Sequence, residues 1–153
     1  MDPLIRTAEP RDIEACSELL TELFSLEKEF AADTQKQRRG LEMILERPES
    51  GRVFVAELDG SIAGMLILLS TVSTVLGQKV ALLEDMVVDP RFRRRGIGSA
   101  LLDHALETAA REDVGRITLL TDGDNLAAHA LYRSKGFLRS SMAVFRKLAP
   151  LPC

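Results

Sequence analysis

Tryptophan is absent, tyrosine occurs once, and histidine and cysteine occur twice each. Each scarcity closes off a class of function. Cys16 and Cys153 alone make no disulfide framework, so a reduced, cytoplasmic setting is expected. Two histidines with no Cys/His cluster argue against a structural zinc site, and no metal is expected. One tyrosine leaves little surface for stacking bases, and a net charge of -3 is the wrong sign for a general nucleic-acid binder. No apolar run is long and uncharged enough to span a bilayer. The opening MDPLIRTAEP lacks a basic region followed by an apolar one, so no signal peptide is expected.

What is present suits one globular domain. The chain has 153 residues, 46% hydrophobic and 28% charged, enough for a single core. Residues 1–148 are expected to form that domain, and 149–153 a short tail.

Hydrophobic spacing and breakers divide the chain. Leu4 to Thr7 reads as a short strand. Pro10 and Asp12 precede a helix whose apolar face is Ile13, Cys16, Leu19, Leu20, Leu23 and Phe24. A second helix starts at Asp33 as N-cap, runs to about Glu46, and buries Leu41, Ile44 and Leu45. Arg52 to Leu58 and Ile62 to Leu69 form a hairpin around Asp59-Gly60. Thr71 to Gln78 reads as a loop and Lys79 to Val88 as a strand. A helix from Gly98 to Arg111, a strand at Ile117 to Thr121 and a helix from Asn125 to Ser134 follow. Phe137 to Leu148 supplies one or two last strands. The order is β-α-α-β-β-β-α-β-α-β, an α/β (α+β) protein with a mixed sheet covered by helices.

The stretch VVDPRFRRRGIGSALL, Val87 to Leu102, carries the strongest chemical signal. A strand, a glycine-rich turn and a helix start make a backbone anion site, because the first-turn amides are unpaired and glycine permits close approach. A P-loop would need a lysine and a different spacing. A dinucleotide fingerprint would need glycine where Leu101 stands. The competing account is a solvated basic face around an ordinary turn.

The pattern Arg93-Arg94-Arg95-Gly96-Ile97-Gly98 resembles the acetyl-CoA motif of the GCN5-related N-acetyltransferases, the GNAT superfamily. Asn125 to Tyr132, followed by Gly136-Phe137, is similar to that family's second recurring motif. The element order also resembles the family's fold. The resemblance implies that backbone amides near Arg94, Arg95, Gly96, Ile97, Gly98 and Ser99 hold the CoA pyrophosphate. Arg91, Arg93 and Arg94 would lie near its phosphates. Pantetheine would pair like a strand along Met86, Val87 and Val88, with the Val87 amide as the oxyanion donor. Tyr132 would match the tyrosine that protonates the leaving thiolate, and a phenol remains a donor at neutral pH. Asn125 would contact pantetheine, cap its helix, or do both.

Amine acetylation also needs a base. Glu84 and Asp85 interrupt an apolar strand. Alternation sends adjacent residues to opposite faces, so one is expected in the substrate cleft. The pair resembles the diamine acetyltransferase branch. Glu84 is favoured as base, with a structural salt bridge as the alternative. His104 and His129 have no spaced partner and read as structural.

The expected activity is acetyl transfer from acetyl-CoA to a primary amine, by direct attack in a ternary complex. The acceptor would be a small cationic amine. Glu14, Glu18 and Glu22 line one face of the first helix and Glu27 and Glu29 follow it. They either favour a cation or simply form a solvated face. A CoA-binding regulatory module without transfer activity is the alternative function. A homodimer through the last strands is permitted by Met142, Val144 and Phe145. Neither nucleic acid nor membrane is an expected partner.

Overall fold

A computed structural model describes residues 2–27 and 29–149. Lys28 and the tail positions 150–153 lie outside the described residues, Cys153 among them. The chain forms two compact units, Met1–Asp122 and Gly123–Cys153.

The first unit is built on β1 (Leu4–Thr7), β2 (Gly51–Leu58), β3 (Ser61–Ser73), β4 (Gln78–Val88) and β5 (Ile117–Leu119). These lie in the order β1-β2-β3-β4-β5 in one sheet. The first four pair antiparallel and β5 joins β4 in parallel. The mixed sheet follows from the connections. Tight turns join β2 to β3 and β3 to β4. The return from β4 to β5 passes through helix α3 (Ile97–Arg111). The loop expected at Thr71 to Gln78 shrinks to a turn over 74–77, because β3 and β4 continue as a hairpin and stop only at Ser73 and Gln78.

Helices α1 (Ile13–Leu26) and α2 (Thr34–Glu46) cover one face. There Cys16, Leu19, Leu20 and Leu41 pack on Val53, Val55, Met65, Ile67 and Val87. Burial holds the Cys16 thiol well above its usual range, at about 12, so it is an inert core residue. α3 covers the other face. A side chain at Gly64 would meet Ile97, Leu101 and the Val87 carbonyl at 3.1 Å each, so glycine is what lets α3 approach β3. His104 on α3 stacks edge-on against buried Phe54 at 5.0 Å, a structural role as expected.

Polar anchors set the two covering helices. Asp33 caps α2 by accepting from the Gln35 and Lys36 amides. Gln37 bridges to α1, donating from Nε2 to the Ser17 carbonyl and to Thr21 Oγ1, each at 2.9 Å. Ahead of α1, Pro10–Asp12 form a 3-10 turn. Asp12 is 5% exposed. It accepts from Arg6 Nη1 at 2.7 Å, Arg6 Nη2 at 3.1 Å and the Glu9 amide at 2.7 Å. Arg6 also reaches Glu57 on β2 at 3.3 Å. This network ties β1, β2 and the start of α1 together.

The second unit contains α4 (Leu126–Ser134), capped by Asn125, whose Oδ1 accepts from the Ala128 amide at 3.2 Å. Its C-terminus closes through Gly136 and Phe137 amides onto the Arg133 and Tyr132 carbonyls. The strands expected over Phe137 to Leu148 are not formed; residues 137–149 carry no regular secondary structure. Alternating apolar residues specify a strand only beside an edge to pair with, and the described residues of this unit contain a helix and no strand. Leu138, Met142, Phe145 and Leu148 are exposed.

The guanidinium of Arg6 holds the Asp12 carboxyl below its usual range. The stability this confers is present above the unfolded carboxyl pKa and disappears as pH falls through the lower folded value. Asp12→Ala leaves Arg6 without its main partner and should cost about 3 kcal/mol in urea unfolding at pH 7. The gap between wild type and variant should close in strong acid.

Candidate active site

The turn after β4 is shaped by its own charges. Asp89 accepts from the Arg91 amide at 2.9 Å and from Arg91 Nη2 at 2.8 Å, which closes a 3-10 turn over Pro90–Phe92. Arg91 is therefore engaged locally. Arg95 stacks over the Phe92 ring at 5.6 Å, and Arg93 stands 3.8 Å from Glu22 on α1. Arg93, Arg94 and Arg95 are all exposed.

Two positive φ values follow in close succession, 64° at Arg94 and 75° at Gly96. The left-handed Arg94 is an uncommon backbone state for a non-glycine residue. It turns the chain so that Gly96 can be the N-cap of α3. The first helical bond runs from the Ala100 amide to the Gly96 carbonyl. The amides of Ile97, Gly98 and Ser99 precede it and have no partner within the helix. A Cβ placed on Gly96 would meet nothing within 4 Å. This is an open concavity of amides at the positive end of a helix, with arginines around it. It fits a pyrophosphate.

β4 carries the second feature. Its pairing with β5 covers Ala81, Leu82 and Leu83 and ends there. Among the described residues, the rest of β4, through Val88, has no strand on that side. Its pairing with β3 is interrupted at the same place. Ile67 faces Asp85 and Leu68 faces Leu83, which leaves Glu84 as an extra residue, a β-bulge.

The bulge changes which backbone groups face the open side. Before it, the Ala81 amide donates to Arg116 at 2.9 Å, so Ala81 and Leu83 face β5. After it, the Asp89 amide donates to Ala63 at 2.8 Å, so Asp89, Val87 and Asp85 face β3. The amides left on the open edge belong to Met86 and Val88. The Val87 amide, the expected oxyanion donor, points the other way. Simple alternation from Ala81 would have put it on the open edge; the inserted residue reverses that parity.

The same bulge brings the two acids together. Glu84 and Asp85 were expected on opposite faces, yet both line one cavity of about 270 Å³ beneath α1 and α2. Among the described residues neither makes an ion pair, so the salt-bridge alternative for Glu84 is not realised. Glu84 is exposed and Asp85 half-buried. Burial first, then the charges of Glu84 and Glu27, push the Asp85 carboxyl up to about 7. Asp33 and Lys36 of α2 line the same cavity. The sequence marked the acidic pair but could not show that the second member is the perturbed one.

Tyr132 and Asn125 belong to the second unit. There the Tyr132 ring meets Phe137 edge-on at 6.0 Å, and Asn125 is the helix cap already described. Glu14 pairs with Arg38 at 2.7 Å, which favours the solvated-face account of that residue. No group of three or more metal-ligating side chains is assembled among the described residues.

A raised carboxyl opposes folding once it ionises. Its contribution is fully favourable below the unfolded pKa and is lost as pH rises through the folded value near 7. Asp85→Asn should therefore match wild type near pH 4 and gain on it as pH rises to about 7. Above that the advantage should level off, at up to a few kcal/mol given ~1.4 kcal/mol per pKa unit. Thermal melts of both proteins across that range measure it.

The acetyltransferase (GNAT) family model matches residues 13–137, which span both units. The uncharacterized N-acetyltransferase YhfO of Bacillus subtilis (strain 168) is 32% identical over 136 residues, covering 87% of this chain and 88% of its own. The [Ribosomal protein bS18]-alanine N-acetyltransferase of Escherichia coli (strain K12) is 40% identical over 57 residues, 37% of this chain and 38% of that one. The crystal structure of the ribosomal-protein-alanine N-acetyltransferase from Brucella melitensis biovar Abortus 2308 shares the fold. Its TM-score is 0.79 at 17% identity, over 97% of this chain and 100% of that one. With a motif loop and a mixed sheet of the right kind, the chain belongs to the acetyltransferase (GNAT) family and is an acetyl-CoA-dependent N-acetyltransferase.

Proposed function

We propose that the acceptor amine binds in the cavity beneath α1 and α2 while acetyl-CoA lies along the open edge of β4, and that transfer is direct. One observation carries this reading. The half-buried Asp85 carboxyl lines the cavity, and the next residue, Met86, has its amide on the open edge. A group able to take a proton near neutrality thus adjoins a free backbone donor.

The assignments follow from what each reactant lacks. A primary amine is protonated in water and cannot attack until it loses a proton. Asp85, with a pKa near 7, is a much better base than an ordinary carboxylate. Glu84, bulged and exposed, raises the Asp85 pKa by its charge and attracts the ammonium. The Met86 amide stabilises negative charge on the thioester oxygen as the nitrogen attacks the acetyl carbon. The nitrogen loses its second proton to water, the carbon–sulfur bond breaks with its electron pair on sulfur, and Tyr132 donates a proton to that sulfur. The amides of Ile97, Gly98 and Ser99, with Arg93, Arg94 and Arg95, hold the pyrophosphate and phosphate of CoA. Met86 and Val88 hold pantetheine, with Val87 fixed behind them in the sheet. Asn125 contacts pantetheine while capping α4.

The acceptor in this reading is a small amine, and the reaction takes place in the cytoplasm. The relatives that acetylate a ribosomal protein's alanine make a peptide α-amine the second acceptor reading. A homodimer through residues 137–148 is part of the same reading, because their exposed apolar side chains suit a second copy.

CoA release from acetyl-CoA over an amine panel tests the chemistry. In wild type, kcat/KM should rise through about pH 7 and then flatten. Asp85→Asn should lose that rise and about 10²-fold in rate, whereas Glu84→Gln should keep most of the rate. Tyr132→Phe should lower kcat with little change in KM. Gly96→Val should raise the acetyl-CoA KM about tenfold, by straining a left-handed residue and covering the amides. Equal rates for Asp85→Asn and wild type at every pH would remove Asp85 from the mechanism.

A further inference from the structure

Resting on the acceptor site just proposed, the cavity walls also specify the acceptor's carbon body. The carboxylates Glu84 and Asp85 stand on β4. Around them the lining is largely hydrocarbon: Leu20 and Phe24 from α1, Leu41 and Ile44 from α2, Ile67 and Leu69 from β3. The buried polar side chain of that lining is engaged. Gln37 Nε2 donates to the Ser17 carbonyl and Thr21 Oγ1, and its Oε1 accepts from the Asp33 amide at 2.8 Å. Asp33 Oδ1 accepts from two amides of its own helix. Asp33 and Lys36 are exposed and of opposite charge, so together they offer no net attraction.

The space therefore has one cationic end and an apolar remainder. A second ammonium would lie against Leu41 and Ile44 without a partner, and a burden of hydroxyls would be stripped of water there with nothing to accept them. The volume, about 270 Å³, is below the ~300 Å³ at which drug-sized pockets begin. That is too small for several linked sugar rings. We infer that the acceptor is a primary monoamine with an apolar body, an alkyl or arylalkyl amine. Its nitrogen lies at Asp85 and its carbon chain against Phe24, Leu41, Ile44 and Leu69. Charge complementarity at one end and hydrocarbon at the other distinguish it from polyamines, aminoglycosides and peptide termini. Of the small cationic amines expected from sequence, only those with a single charge meet both conditions.

Calorimetry tests this without depending on turnover. The full chain, saturated with CoA, is titrated with hexylamine, phenethylamine, spermidine, kanamycin and an alanine-initiated peptide. Hexylamine or phenethylamine should bind at least about tenfold tighter than the other three. Ile44 is half-buried, and Ile44→Gln should weaken that binding about tenfold while spermidine changes little. Leu69→Gln is the second variant, should the first fail to fold. Tighter binding of spermidine, kanamycin or the peptide would overturn the inference, as would apolar amines that do not bind or that ignore the substitution. CoA release from acetyl-CoA, measured in parallel with the same amines, separates the two claims. Apolar amines that bind but release no CoA would contradict the transfer reading and leave the cavity assignment standing.

Discussion

One inserted residue organises this site. Glu84 is an extra position in β4, and its consequences run in two directions. Across the strand, it exchanges the backbone groups that face β3 for those that face the open side. Along the strand, it puts two carboxylates on a single cavity. An uninterrupted strand would have placed Glu84 and Asp85 on opposite faces and would have kept the Met86 amide bonded within the sheet. Bulges recur beside active sites because they re-aim side chains and end pairing together. Here both effects coincide where the parallel partner β5 stops.

The surrounding fold keeps that irregularity in place. β3 holds β4 on one side along nearly its whole length. α3 presses on the sheet through the gap left by Gly64, and its first turn provides the amide concavity. On the other face, α1 and α2 form the cavity roof, linked by the buried Gln37 bridge. The Arg6, Asp12 and Glu57 network anchors the start of α1 to the first two strands. Strain at Arg94 and the unionised carboxyl favoured at Asp85 are local costs that this scaffold sustains. Both lie where chemistry needs an unusual backbone or an unusual base.

Much of this was legible in the residues themselves. β1 fell at Leu4–Thr7 because a short apolar run meets Pro10, and α2 began behind Asp33 because that carboxylate can cap it. The glycine-rich turn and its arginines announced an anion site through local chemistry alone. What stayed hidden depended on pairing. Nothing in Leu83-Glu84-Asp85 states that Ile67 and Leu68 will sit opposite Asp85 and Leu83, so the bulge, the shared cavity and the reversed amide parity could not be read there. The expected last strands failed for a related reason. Met142 and Val144 alternate as a strand would, but alternation is only half of a strand, and the described residues of the unit that holds them provide no edge.

Residue-resolved hydrogen exchange reads directly which amides of β4 are free. Exchange of the Met86, Val87 and Val88 amides is compared with and without CoA. In the free protein, Met86 and Val88 should exchange quickly and Val87, bonded to β3, slowly. CoA should protect Met86 and Val88 and leave Val87 unchanged. Protection gained at Val87 instead, or Met86 and Val88 already slow without ligand, would contradict the reversed parity and the site built on it.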